Sequence, residues 1–200
     1  AKGFLARPKE EGAFPAVIMI HENRGLRPET KQVAQELASN GYIVLAVDLF
    51  EGKVLETQEE ARAITANFDQ EKALQNLKAA VKFVRDEGAP KVASLGWCFG
   101  GAQSLNISLA NENLDATVIY YGRLATTTET LASLNSPVLG IFGDKDQVIS
   151  VESVNQFDAA LDAKQIPNEI YMYEGVGHAF ANPSGANYAP SETADAWAKT

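Results

Sequence analysis

The chain alternates short apolar runs with longer stretches in which apolar positions recur every three or four residues. The runs are Gly3 to Arg7, Ala16 to Ile20, Tyr42 to Val47, Lys91 to Leu95, Ala116 to Tyr121, Pro137 to Phe142 and Glu169 to Tyr173. Most are continuous rather than alternating, as expected of strands covered on both faces in a mainly parallel sheet. The first, within Ala1 to Pro8, reads as an edge strand that ends at proline. Between the runs, residues 29–39 carry Val33, Leu37 and Ala38 on one face, and Asn40-Gly41 closes the segment like a helix C-cap. Leu74, Leu77, Val81 and Val84 mark a second amphipathic helix that ends near Glu87-Gly88-Ala89-Pro90. Further helices are expected over 101–110 and around Val154, Phe157 and Leu161. No internal repeat or low-complexity tract interrupts the alternation. The pattern predicts one doubly wound α/β domain over residues 1–200, with a mainly parallel sheet of about seven or eight strands flanked by helices.

Size and composition narrow the functional classes. Two hundred residues with 46% apolar and 22% charged content suit a water-soluble globular domain with a sizeable core. The 26 acidic against 17 basic side chains give a formal charge of −9, which disfavours nucleic acid and anionic membranes as partners. The apolar runs are too short to span a bilayer. A single cysteine, Cys98, excludes an internal disulfide and a CxxC site. Two histidines far apart in sequence are a poor ligand set, so no metal and no cofactor is expected. No signal peptide is visible, and a cytoplasmic location is the expectation. The chain begins without methionine and stops without a helix-ending signal, which reads as trimmed ends and leaves a removed leader open. Oligomeric state is not legible.

The candidate chemistry begins at Leu95-Gly96-Trp97-Cys98-Phe99-Gly100-Gly101, directly after an apolar run and before a helical stretch. G-x-C-x-G in that context reads as a nucleophile elbow, a sharp strand-to-helix turn with a strained central residue. Its glycines are explained if side chains there would collide with the neighbouring strand and helix. A lone cysteine is usually an inert buried group, but a position at a helix N-terminus favours the nucleophilic thiolate. A phosphate-binding reading fails on spacing and on the bulky Trp97 and Phe99.

Two partners follow in order. Gly143-Asp144-Lys145-Asp146 succeeds the Pro137 to Phe142 run, and Glu174-Gly175-Val176-Gly177-His178 succeeds Glu169 to Tyr173. Nucleophile, acid and base would then each follow a separate strand, at the one sheet edge where open α/β folds bind ligands. His178, between Gly177 and Ala179 in a loop, is the expected base. His21 can equally be a structural hydrogen bonder at a strand end. Asp146 is favoured over Asp144 as the acid, Asp144 then serving the turn. An oxyanion hole would draw on the Phe99 amide and one amide from His21-Glu22-Asn23-Arg24-Gly25.

Together these segments resemble the dienelactone hydrolase family (carboxymethylenebutenolidase-like) of the α/β-hydrolase superfamily. The resemblance runs from about Gly3 onward and rests on Pro15 to Leu26, Gly96 to Gly101, Tyr120-Tyr121-Gly122, Gly143 to Asp146 and Gly177-His178-Ala179-Phe180. It implies a Cys98, Asp146, His178 triad that hydrolyses a small carboxylic ester or lactone through a thioester. It also implies oxyanion donors at Asn23 and Phe99, and a Glu22 that contacts the resting thiol and helps generate the thiolate. Members acting on dienelactone are expected to grip its carboxylate with two arginines. This chain has Asn182 at one such position and Gln58 near the other, with Arg62 close by. Arg24, Arg62 and Arg123 are candidate replacements, and Tyr121 is a candidate lining residue. The rival readings are a non-catalytic binding domain on a hydrolase fold and a thiol redox protein using Cys98, which would need an external resolving thiol.

Overall fold

A computed structural model describes residues 2–200 of the chain; Ala1 lies outside the described residues. Among the described residues there are seven strands: β1 (Gly3–Ala6), β2 (Ala16–Ile20), β3 (Ile43–Val47), β4 (Val92–Trp97), β5 (Ala116–Tyr120), β6 (Val138–Gly143) and β7 (Asn168–Tyr173). They form one sheet in the order β1-β3-β2-β4-β5-β6-β7. Strands β2 to β7 run parallel, and only β1, at the edge, runs antiparallel to β3. All seven expected strands form, within one or two residues of their expected ends.

The helices are α1 (Pro28–Ser39), α2 (Gln58–Ala66), α3 (Gln70–Asp86), α4 (Phe99–Leu109), α5 (Val151–Ala163) and α6 (Pro190–Lys199). Helix α1 ends as expected: Gly41 takes φ +91°, its amide donates to Ala38, and the Tyr42 amide donates to Leu37, a Schellman closure that a Cβ would oppose. The pattern of apolar positions does not reveal α2 and α6. Each fully buries one residue, Ala61 and Ala196 respectively, with Ile64 and Trp197 partly buried beside them, so each carries only a narrow apolar stripe. Their local signals are terminal. Thr57 and Glu60 form a reciprocal capping box at the start of α2, and Pro190 occupies the first turn of α6.

Alternate residues of β2 separate the core into two layers. Ile18 and Ile20 pack with Leu77, Val81 and Val84 of α3, whereas Val17 and Met19 pack with Ala34 and Ala38 of α1 and with Ala196 of α6. A third cluster joins Ile119 of β5 and Phe142 of β6 to Leu105 of α4 and Phe157 of α5. Burying such a side chain contributes about 1.5–3 kcal/mol each, which accounts for continuous apolar runs where both sheet faces are covered.

A ladder of buried hydroxyls fixes α4 against the sheet. Ser104 Oγ donates to the Val118 carbonyl over 2.9 Å and lies 2.8 Å from Ser94 Oγ. Ser108 Oγ lies 2.5 Å from Thr117 Oγ1, which lies 2.6 Å from Ser136 Oγ. Among the described residues, no buried side-chain polar atom lacks a partner. The ladder holds the helix whose first turn faces the ligand-binding edge.

Parallel pairing places the carboxyl ends of β2, β4, β5, β6 and β7 along one rim. The chain crosses from β3 to the far side of β2 when it enters β4, so β2 and β4 flank the switch point at which open α/β sheets bind ligands. No helix among the described residues is long and apolar enough to cross a membrane.

Candidate active site

Cys98 occupies the one-residue gap between β4 and α4 with φ 53° and ψ −114°. That positive φ is costly for a residue with a Cβ, and the surrounding backbone imposes it. The Cys98 amide donates to the Tyr120 carbonyl over 2.9 Å, and the Cys98 carbonyl accepts from Ala102 over 3.1 Å. The flanking glycines are explained by contact. A Cβ on Gly96 would sit 2.1 Å from the Gly100 carbonyl oxygen, and one on Gly100 would sit 2.2 Å from that of Ile20. The elbow can form only where strand and helix backbones touch.

His178 and Asp146 meet the thiol there. His178 Nε2 lies 3.1 Å from Cys98 Sγ, and Nδ1 lies 2.8 Å from Asp146 Oδ2. The second Asp146 oxygen accepts from the amides of Val148 at 2.7 Å and Ile149 at 2.9 Å. Burial alone would raise the Asp146 pKa, but the bonds from His178 and the two amides outweigh it and hold the carboxyl below its ordinary value. For His178, burial works against the charged ring and is again outweighed. Hydrogen bonds to Asp146 and Cys98 raise its pKa to about 10. Asp144 instead accepts from the Gly175 amide at 2.7 Å and pairs with Lys145, so it shapes the turn.

Glu22, at the exit of β2, makes its hydrogen bonds to groups other than the thiol. Tyr121 Oη donates to one of its oxygens at 3.3 Å, and Asn182 Nδ2 donates to the other. This differs from the Glu22–thiol contact that the resemblance implies; the Cys98 sulfur faces His178 instead. Burial raises the Glu22 pKa, partly offset by the bonds from Asn182 and Tyr121. Tyr121 is buried, has φ 36°, and packs edge-on against the His178 ring with centroids 5.3 Å apart. Its phenol is pushed up by burial and by the charges of Glu22 and Cys98, which keeps it a neutral donor.

His21 belongs to the scaffold. It is fully buried, its Nδ1 donates to the Glu22 carbonyl at 2.6 Å, and its Nε2 accepts from the Leu49 amide at 3.1 Å. Burial lowers its pKa, consistent with a neutral ring. Phe99 occupies the first position of α4, where an amide has no partner within the helix. Among the described residues, neither the Phe99 nor the Asn23 amide donates to a protein acceptor.

A cleft of about 1040 Å³ opens over these groups and is lined by Glu22, Asn23, Cys98, Tyr121, His178 and Asn182, among others. Arg24 and Gln58 also face it, whereas Arg62 and Arg123 do not. Arg62 lies one turn farther along α2 and is exposed, and Arg123 is exposed beyond the end of β5. Neither is placed as a lining residue, a correction to the expectation for both. A smaller depression of about 160 Å³ beside Phe50 and Phe68 contains none of the candidate residues. Among the described residues, no cluster of three or more His, Cys, Asp or Glu could hold a metal.

The profile described as "Dienelactone hydrolase family" matches residues 1–200. A protein from Methylorubrum extorquens named "Putative carboxymethylenebutenolidase" is 29% identical, over 97% of this chain and 72% of its own length. One from Bradyrhizobium sp, named "Probable 2-oxo-3-(5-oxofuran-2-ylidene)propanoate lactonase", is 28% identical over 98% of this chain and 86% of its own. The crystal structure of a "Putative Dienelactone Hydrolase" from Klebsiella pneumoniae superposes with a TM-score of 0.88 at 25% identity, covering 96% of this chain and 88% of that one. With the family profile matching residues 1–200, the chain belongs to the dienelactone hydrolase family.

Proposed function

We propose that the protein hydrolyses small carboxylic esters or lactones with Cys98 as nucleophile, His178 as base and acid, and Asp146 as the carboxylate that orients the ring. The observation that carries this reading is the contact chain from Cys98 Sγ to His178 Nε2 at 3.1 Å and from His178 Nδ1 to Asp146 Oδ2 at 2.8 Å. Family membership supports the ester or lactone substrate class.

In this reading the sulfur attacks the carbonyl carbon, its proton having passed to His178 Nε2. The tetrahedral oxyanion is held by the Phe99 and Asn23 amides, each such donor being worth about 2.7–4 kcal/mol of transition-state stabilisation. The carbon–oxygen bond breaks as His178 returns its proton to the departing alkoxide, leaving a thioester. Water then attacks, His178 takes a proton from it, and collapse releases the carboxylic acid and restores the sulfur. Asp146 keeps the Nδ1 proton in place throughout and supports the imidazolium. For Glu22 to assist in forming the thiolate, it has to leave Tyr121 and Asn182 and turn toward Cys98.

The test is mass spectrometry of the protein quenched during turnover of 4-nitrophenyl acetate. The expected result is one acetyl group on the peptide that contains Cys98, and none in Cys98→Ala, which also loses turnover. Full turnover by Cys98→Ala would falsify the mechanism.

A further inference from the structure

We infer that the cleft selects uncharged esters or lactones over those that carry a carboxylate, and that Asn182, by clamping Glu22, is the specificity-determining residue. The inference rests on the hydrolase reading for its substrates, but its electrostatic basis can be tested without turnover.

The argument starts from the orientation of one amide. Asn182 Oδ1 accepts from the Ser184 amide at 3.0 Å and from Ser184 Oγ at 2.9 Å. Two donors on one side fix which end is oxygen, so the NH2 group must point the other way, where it donates to Glu22. One of its two N–H donors is thereby committed to Glu22, so against a substrate carboxylate Asn182 offers at most one neutral N–H and no charged, two-pronged grip. On the Glu22 side, one oxygen takes the Asn182 amide and the other takes Tyr121 Oη at 3.3 Å. Both oxygens accept, as suits an ionised carboxylate, and both donors are neutral. These two bonds favour the charged form of Glu22 at the floor of the cleft, against a burial that on balance raises its pKa.

The other charges do not reverse this. The imidazolium of His178 is already faced by Asp146. Arg24 directs Nη1 to the Glu56 carbonyl at 3.0 Å, and Arg27 pairs with Glu29 at 3.4 Å. The cleft is lined by the carboxylates of Glu22, Glu29, Glu36 and Glu56 against the guanidiniums of Arg24 and Arg27. Glu29, Glu36 and Glu56 are exposed and screened by water, so the field that an anion meets near Cys98 is set chiefly by Glu22, the carboxylate withdrawn from solvent.

Alkylation of Cys98, the only cysteine, reads this field directly. The rate ratio of iodoacetamide to iodoacetate should be about tenfold higher for the folded protein than for the same protein in urea, and should shrink with added salt. Glu22→Gln and Asn182→Arg should each lower the folded ratio severalfold. A folded ratio at or below the unfolded one overturns the inference. In parallel, kcat/KM is compared for methyl 4-nitrophenyl glutarate and its free-acid counterpart. A preference of about tenfold or more for the methyl ester is expected, and it should diminish in Asn182→Arg. Equal turnover of both overturns the inference and leaves the hydrolase reading standing. A raised alkylation ratio with no turnover of either ester supports the charge selection and overturns the hydrolase reading.

Discussion

The backbone amide of Leu49, just past the end of β3, donates to Nε2 of His21, at the end of β2, over 3.1 Å. Because the other ring nitrogen bonds the Glu22 carbonyl, one neutral imidazole ties the segment bearing Glu22 and Asn23 to the neighbouring strand. In His21→Ala the Leu49 amide is left buried without an acceptor, which should cost about 1–3 kcal/mol in urea unfolding. Since the Asn23 amide loses its support, kcat toward 4-nitrophenyl acetate should fall by a larger factor than KM rises.

Asp146 and Asp144 stand two residues apart, yet only Asp146 reaches His178. Asp146→Asn should lower kcat/KM by about 100-fold or more, through loss of the ring's orientation and of support for the imidazolium. Asp144→Asn keeps an oxygen for the Gly175 amide and should leave kcat/KM nearly unchanged. Steady-state kinetics on the pair decides the assignment, and equal losses in both would overturn it.

Gly100 is required by contact rather than by flexibility. Ala at this position would bring a Cβ to 2.2 Å from the Ile20 carbonyl oxygen and 2.6 Å from that of His21, both backbone atoms that cannot step aside. Overpacking of this kind costs about 1–3 kcal/mol, occasionally more, and should appear in Gly100→Ala as a lowered thermal midpoint together with slower alkylation of Cys98.

Glu22 carries a stability cost that depends on pH. Its folded-state pKa is raised from the model-compound value of 4.5, with burial as the main cause, so the folded protein holds this proton more tightly than the unfolded chain does. The group is thus least costly below pH 4.5, and stability declines as pH rises from there through the raised value. Glu22→Gln should therefore gain stability over the parent between pH 4.5 and neutrality, with the difference shrinking toward pH 4. Urea midpoints of both proteins at several pH values provide the check, and a constant difference across the range would count against it.

The seven strands were legible because burial on both faces forces continuous apolar runs, and few other structures require a run such as Ala16 to Ile20. Cys98, Asp146 and His178 could be picked out as candidates because each lies within five residues of the end of one of those strands, and parallel pairing carries such positions to a common rim. Helices α2 and α6 were not, because they are specified by caps and bury little. Missing α2 had a functional consequence: without its axis there was no way to tell that Gln58, in its first turn, faces the cleft while Arg62 does not. The partnership of Glu22 with Tyr121 and Asn182 left no local trace either. It joins the ends of β2 and β5 to the loop after β7, and it depends on an amide whose orientation is set by Ser184.

The loop after β7 carries both the imidazole and, four residues on, the side chain that restrains Glu22. It is itself braced by a bond from Asn187 Nδ2 to the His178 carbonyl at 2.9 Å and by one from the Ala189 amide to Phe180 at 2.9 Å. Proton shuttling and discrimination among ligands thus share one mechanical unit. A change that tilts this unit alters both properties together, so relatives that diverge here should differ in turnover and in selectivity as a linked pair, never in one trait by itself.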